Sequence, residues 1–543
     1  MGIKRYGATA DTTITNAYKS NLQTRGTGSN MGRADSMAIF SIYGQESSGS
    51  TELSRTLLNF SADDVYSDRV NGTIPKSGSV SFYLRMFNAV TPFTVPRSFD
   101  LTVSAVSASS YWPGGFEWQE GTGIDMEEYT NVTRNGIGAN WINAGSSSAN
   151  GVITWENVGG DYHTDTSSSF TVSFNDGTED LETDITPLVE QWMTALGDNG
   201  SFGSKKNYGI GVRLSPAYEA YFFASSGSAS GSVPVNTAGA KRSYYTKKFF
   251  ARSSEFFFKR PIIEARWDSA TKDDRGELFY SSSLATAAEN LNTIYLYNYF
   301  RGQLRNIPDI GDGAIYVSVY SGSADNSRPS GSALKLVGDA THVRAVAPTV
   351  VTGGYVSTGI YSASFALTGA STLPSSSYPL TQLFDVWWSG SHPPGTTQYH
   401  TGTIQPKVIS LSPQNPATTY VTNITNLKPI YNASETARFR VYTREKGWNP
   451  NIYTKAVATI PPMIVESGSF AITRVVDNYT ALAFGTGSDL HTQMSFDVSG
   501  SYFDLDMGLL EPGYAYRVNF AYYNGSIGDW QEQPEEFKFR VEE

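Results

Sequence analysis

The stretch WPGGFEWQEGTG at Trp112–Gly123 opens the segment that decides the fold. It continues through Trp141 and WENVGGDY at Trp155–Tyr162 to DITPLVEQWM at Asp184–Met193, and closes with NYGIGVRL at Asn207–Leu214. A tryptophan brings a large apolar area and a single N–H donor. Trp112, Trp118, Trp141 and Trp155 stand among Gly, Asn and Ser. That setting predicts loops packed onto one end of a β-sandwich. DITPLVEQW has helix grammar: Asp184 or Thr186 as N-cap, Pro187 at the first helical position, and Leu188, Val189 and Trp192 on one face. NYGIGVRL predicts a buried strand.

Moving outward, ATADTTITNAYKSNLQT at Ala8–Thr24 reads as a threonine-rich first strand, and SRTLLNFSA at Ser54–Ala62 as a second. FFARSSEFFFKRPIIEARW at Phe249–Trp267 reads as a closing strand. In this order, with the EGTG turn, the GGD turn and the DIT…VEQW helix, residues 1–268 resemble the DNRLRE family of β-sandwich modules. Long loops such as Ala224–Ala240 and extra aromatic residues near the end depart from the family pattern. The resemblance implies a binding or spacer module of the kind found in bacterial surface proteins, some carbohydrate-binding modules and phage virion proteins. It implies no catalysis.

The composition agrees with strands and turns. Of 543 residues, 13% are aromatic and only 17% charged, with 51 Gly, 33 Tyr and 29 Phe against 9 Met. Such a profile favours sheet faces over helices. The net charge of −11 opposes nucleic-acid binding, which uses a basic face. The one basic cluster, KRSYYTKK at Lys241–Lys248, is expected to be a solvated strand end. With no cysteine, disulfides, thiol catalysis and Cys-based zinc sites are excluded. MGIKRYGATADTT at the start has no apolar run, so no signal peptide is expected, and no stretch is long enough to span a bilayer. Cytoplasmic synthesis joined to an adhesive-like composition fits a protein assembled into a virion.

The expected fold class is all-β: three consecutive β-sandwich (jelly-roll or Ig-like) domains over 1–268, 269–412 and 413–543. Alternating apolar and polar positions mark strands at Met37–Tyr43, Val80–Phe87 and Phe99–Val106 in the first. In the second they mark Ala314–Ser323, Ser357–Leu367 and Leu383–Gly390, with LATAAENLN at Leu284–Asn292 a loop or one helical turn. DSATKDDRG at Asp268–Gly276 and the proline-containing SLSPQNPAT at Ser410–Thr418 read as boundaries, and ASSGSASG at Ala224–Gly231 as a mobile loop. In the third domain LLEPGYAYRVNF at Leu509–Phe520 resembles the tyrosine-corner strand of fibronectin type III and related Ig-like sandwiches. There a tyrosine hydroxyl ties a loop to the backbone.

Motifs for chemistry are sparse. The histidines, His163, His342, His392, His400 and His491, show no metal-binding i, i+4 spacing. No Walker motif, dinucleotide fingerprint or nucleophile elbow stands in the right context. Glu117 and Glu120 flank Trp118, the grammar both of a sugar site and of a loop closing a core. Asp161 with Asp165, or Asp309 with Asp312, offers oxygen ligands without a defined calcium spacing. No catalytic residue, metal or cofactor is therefore assigned. The residues expected to touch a ligand or partner are Trp118, Tyr295, Tyr297, Tyr299 and Tyr522, because YLYNYF at Tyr295–Phe300 and AYYN at Ala521–Asn524 put aromatics on both faces of a strand. The expected function is a non-enzymatic phage virion structural protein, a decoration, neck or tail-associated subunit. It is expected in several copies, docking on other virion proteins, with no nucleic acid and no membrane insertion. The alternative is a carbohydrate-binding adhesin or receptor-binding fibre component that contacts a host-surface glycan.

Overall fold

The computed structural model describes residues 2–44, 50–91, 96–108, 112–127, 138–198, 200–223, 232–282, 285–323, 325–336, 349–367, 382–390, 397–406, 419–447, 462–525 and 527–543. The chain is all-β apart from short helices, and its sheets build β-sandwiches. It divides into two compact units, Gly2–Asp268 and Ser269–Glu543.

In the first unit one strand, Ile3–Thr15, serves two sheets. Its first residues pair antiparallel with Ile262–Arg266, from Ile3 opposite Arg266 to Gly7 opposite Ile262. After a register shift between Ala8 and Ala10 the remainder pairs with Glu52–Phe60. An extra residue at such a point bends a strand and raises its twist. One sheet then runs on through Ser81–Met86 to Leu181–Asp184. The other runs through Ile210–Leu214 and Phe99–Ala105 to Ser169–Phe174, while Ser36–Ile42 and Tyr244–Phe250 join at Glu52–Ser54. Between the sheets Leu58, Phe60, Leu101, Val103 and Val212 meet Phe82, Leu84 and Ile263.

The helix Thr186–Ala195 closes this core with Leu188, Val189, Trp192 and Met193. Its N-cap differs from expectation. Ile185 holds that position without a side-chain cap, Asp184 accepts the Thr186 amide at 2.8 Å, and the Thr186 hydroxyl accepts the Phe82 amide at 2.8 Å. A second helix, Ala62–Val70, begins where a strand was expected to end, capped by Ser61 accepting from the Asp64 amide. Lys247, expected at a solvated strand end, is 2% exposed. Its ammonium donates to Asn88 Oδ1 and to the carbonyls of Glu179 and Gly177, and it lies over the rings of Phe174 and Phe249. Burial brings its pKa down to about 8.

The four tryptophans pack onto the outer face of a sheet rather than onto one end of the sandwich. Leu57, whose neighbour Leu58 faces the inter-sheet core, packs on the opposite side with Trp118, Trp141, Trp155 and Val106. Each indole N–H finds a carbonyl: Trp112 that of Thr154, Trp118 Tyr208, Trp141 Ser232 and Trp155 Asn140. The sheet is therefore buried on both faces, and in Glu52–Phe60 even Ser54, Arg55 and Thr56 are buried.

In the second unit a seven-stranded sheet orders Asn292–Tyr297, Ile360–Phe365, Val351–Ser357, Ile315–Gly322, Leu383–Ser389 and Thr397–Ile404, with Pro329–Ser330 added to Ile315–Gly322. Ile294, Leu296, Val317, Tyr361, Phe365 and Trp387 fill its core. LATAAENLN forms no helix among its described residues; Thr286 and Glu289 bond each other's amides reciprocally around a turn. Two further sheets face each other near the C-terminus. One contains Thr436–Glu445 and Gly500–Asp506, the other Gly468–Arg474, Ala515–Asn524 and Phe537–Glu542. Phe503 stacks on Phe439 at 4.9 Å and on Phe470 at 4.0 Å between them. The corner tyrosine is Tyr516, whose hydroxyl donates to the Glu511 carbonyl at 2.8 Å. The Asp268–Gly276 segment, expected as a boundary turn, bonds to the strand Ser495–Asp497. The Phe496 amide donates to the Thr271 carbonyl at 3.1 Å, and the Asp273 amide to the Phe496 carbonyl at 3.2 Å. Ala224–Gly231 and Ser410–Thr418 lie outside the described residues.

Candidate functional site

Alternation along a strand decides where each expected contact residue points. In Ala515–Asn524, Tyr516, Val518, Phe520 and Tyr522 share the buried side. Tyr522 is 1% exposed, and its hydroxyl is bonded to Thr422 at 2.8 Å and Thr443 at 3.3 Å. It is a core residue and not a docking residue; its neighbour Tyr523, packed edge-on against Trp530, is the exposed one. Trp118 is corrected likewise. At 4% exposure its ring belongs to the outer-face core, so no sugar can stack on it. The carboxylates beside it are also placed. Glu120 binds the Arg252 guanidinium and the Asp11 amide, and Glu117 faces Lys206 at 3.6 Å on the surface.

Tyr295 and Tyr297 lie on one side of Asn292–Tyr297, opposite the core residues Ile294 and Leu296. Their rings stack at 6.3 Å and line a cleft of about 770 Å³ with Asp273, Arg275, His400 and Asp497. The tyrosines also tie the two parts of the second unit together. Tyr297 is hydrogen-bonded to Tyr502, and the Lys272 amide reaches the Tyr295 hydroxyl. Burial raises both phenol pKa values.

The floor of the cleft is polar and ordered. Asp385, wholly buried, accepts from Arg275 and from the Trp387 indole at 2.7 Å. Arg275 also donates to the Tyr295 carbonyl at 3.0 Å. His400 stands opposite Trp387 in the sheet, and burial lowers its pKa, which favours the neutral imidazole. Asp273, 5% exposed, is pushed up to about 6 by burial. On the far wall Asp497 pairs with Arg440 at 2.7 Å. The carboxylate and phenol oxygens of the wall are thus engaged by the protein's own donors, Asp497 by Arg440 and the Ser499 amide and Asp273 by the Arg275 amide, and a bound ligand would share them. Tyr299 stands apart from it, 60% exposed on the hairpin formed with Gln303–Leu304.

Other sequence candidates have structural duties. Asp161 accepts the amides of Glu156 and Asn157, while Asp165 takes the hydroxyls of Ser167 and Ser168 and the Lys205 ammonium. Asp309 meets Tyr399 at 3.4 Å. No group of three or more potential metal ligands occurs among the described residues. His163 lies 3.8 Å from Asp165 and His491 3.0 Å from Asp489; His342 and His392 fall outside the described residues.

Sequence reasoning overlooked several buried polar residues. Asn30, fully buried, donates to the carbonyls of Glu120 and Ala139 and accepts the Gly32 and Gly123 amides. A Cβ at Gly121, Gly123 or Gly138 would strike it, so the EGTG turn is glycine-rich to admit this amide. Glu264, 1% exposed, gathers Arg5 at 2.8 Å, Arg266 at 2.7 Å and Arg85 at 3.3 Å. The guanidinium groups hold its carboxyl well below the usual range despite burial. The signal available was alternating charge in IIEAR, opposite the arginines of neighbouring strands.

No family model matches the chain, and no curated protein matches it. Among solved structures it is similar to the fibronectin(III)-like modules of CbhA from Clostridium thermocellum, at 9% identity over 51% of this chain and 92% of that one, with a TM-score of 0.13. Trypsin-activated alpha-2-macroglobulin from Escherichia coli matches at 10% identity over 64% of this chain and 19% of that one, with a TM-score of 0.15. Among the described residues no helix is long and apolar enough to cross a membrane.

Proposed function

We propose that the chain is a non-enzymatic structural protein of a tailed-phage virion, present in several copies as a decoration, neck or tail-associated subunit and docking on other virion proteins. The observation that carries this reading is the hairpin of Tyr299–Phe300 and Gln303–Leu304. Tyr299 is 60% and Phe300 52% exposed, and the guanidinium groups of Arg301 and Arg305 lie 5.2 and 5.4 Å from the Phe300 ring. Exposed Tyr and Phe framed by Arg have the composition of an interface anchor. The DNRLRE-like order of the first half belongs to the same proposal. Particles assembled with a Tyr299→Ala, Phe300→Ala chain should lose most copies of it, since anchors of this kind contribute about 2 kcal/mol or more each. The isolated variant should melt within a few degrees of wild type. Normal incorporation would refute the reading.

The second reading, a glycan-binding receptor component, draws on the cleft beside Tyr295 and Tyr297. Its acceptor oxygens at Asp273 and Asp497 suit sugar hydroxyls. Glycan-array binding by the wild type, lost in Asp497→Asn, would favour it over docking alone.

A further inference from the structure

The outer-face core of the first unit ends against a polar recess of about 400 Å³. Arg55 and Arg213 reach it from neighbouring strands. Thr56 lies opposite Val212, so the residues adjoining them in sequence share the outer face. Arg55 is fully engaged: its Nε and Nη2 bind both oxygens of Glu219 at 2.8 Å, and its Nη1 donates to the Gly159 carbonyl at 2.9 Å. Arg213 is not. Only 9% exposed, it lies over the Tyr162 ring at 4.3 Å and makes no hydrogen bond or ion pair with any described residue. Its Nη1 is buried without an acceptor.

The nearby carboxylates cannot serve it. Glu219 is bound at both oxygens by Arg55, and Asp161 accepts two amides and the Asn157 side chain. The Tyr162 hydroxyl donates away, to the Gly159 carbonyl. Burial and the neighbouring Arg55 both work against the Arg213 charge. A buried guanidinium without an acceptor is costly, and a carboxylate that reaches it forms a strong, directional pair.

We infer that this recess is a carboxylate-binding pocket, with Arg213 as the ligand contact and an aspartate or glutamate side chain of a bound polypeptide as the occupant. Among the described residues Arg213 is one positive charge without a partner, and it calls for one negative charge. Glu156, Asp161 and Glu219 on the walls oppose any anion and a dianion such as phosphate about twice as strongly as a single carboxylate. Pro216, Pro234 and Val235 on the rim give aliphatic contact to the methylenes of an acidic side chain. The inference concerns the first unit and stands whether or not Tyr299 and Phe300 dock the second.

The test uses the full chain and short blocked peptides in calorimetric titration. Acetyl-Gly-Glu-Gly-amide should bind, and its glutamine counterpart should bind at least about tenfold more weakly, given what a charged hydrogen bond contributes. Arg213→Gln should abolish the difference while leaving the melting temperature equal or higher, because it removes an unpaired buried charge. Absence of any preference for the glutamate peptide in the wild type would overturn the proposal. So would tighter binding of phosphate, or of glucuronate, which would move the site to another ligand class. If Arg213→Gln unfolds, the wild type still decides: its thermal shift should be greater with the glutamate peptide than with the glutamine peptide at equal ionic strength.

Discussion

The Tyr516 hydroxyl donates to the carbonyl of Glu511, five positions upstream in the chain, across the corner that leads into Ala515–Asn524. Tyr516 is 1% exposed and burial raises its pKa to about 12, so the proton stays on the phenol at any ordinary pH. Tyr516→Phe keeps the ring packed against Phe539 and removes this bond together with the hydroxyl's hydrogen bond with Arg474. The expected cost is about 1–2 kcal/mol in urea unfolding of the full chain. No change in the midpoint of the transition that includes this sandwich would show that the corner is held by packing alone.

Tyr522 and Tyr523 separate stability from docking. Tyr522→Ala leaves a cavity and deprives the Thr422 and Thr443 hydroxyls of their partner, which predicts about 3–5 kcal/mol of destabilisation. Tyr523→Ala, at a site 45% exposed, should cost under about 1 kcal/mol. Thermal melts of the two variants side by side check the order, and the reverse order would contradict the assigned register.

Asp11 gives the first unit a pH dependence of unusual sign for a carboxylate. It is 1% exposed, and burial, with Glu120 nearby, raises its pKa from 3.8 to about 6. Between those values the folded state holds more protons than the unfolded state, so this group makes stability fall as pH rises through that window. Asp11→Asn should therefore raise the melting temperature at pH 7.5, by an amount on the order of 1–3 kcal/mol in stability, and have little effect at pH 4. Melting curves for both proteins across pH 4–8 would show the divergence. Parallel curves would mean that Arg252 compensates the charge.

Glu264 should behave in the opposite way. Its carboxyl is held ionised by Arg5, Arg85 and Arg266. Its contribution is present above the ordinary carboxylate range and is lost only as pH falls through its depressed folded value. Glu264→Gln leaves buried arginine charge without its shared acceptor and predicts a loss of about 3–5 kcal/mol. A variant as stable as wild type at pH 7 would show that Glu182, which also pairs with Arg85 and Arg266, can carry both guanidiniums.

Much of the β architecture is legible in the sequence because period-two alternation and turn residues mark strands locally. MAIFSIY, FDLTVSAV and LFDVWWSG all fall on strands. Helix Ala62–Val70 carried its own signal, a serine followed by two aspartates, at the end of an apolar strand that masked it. Tyr522 was legible too: it lies in phase with Val518 and Phe520, so alternation alone assigns it to the core. Other placements depend on partners distant in the chain. Lys247 looks solvated until Asn88, Gly177 and Glu179 are brought to it. Tyr297 lies on an outer strand face that only Tyr502 shows to be covered. Arg213 reads as an ordinary polar alternation, and only the prior engagement of Glu219 by Arg55 leaves it without a partner among the described residues.

The strand Ile3–Thr15 has a consequence for how the protein is made. Its first residues have their partners at Ile262–Arg266, the last strand of the same unit. A pairing of that sequence separation pays a large loop-closure entropy before it is rewarded. During translation the opening strand emerges first and waits, with one edge unpaired, until the closing strand has left the ribosome. The first unit therefore cannot complete its sandwich until Ile262–Arg266 has emerged, and a ribosome-bound intermediate ending before Pro261 exposes an edge open to wrong pairing.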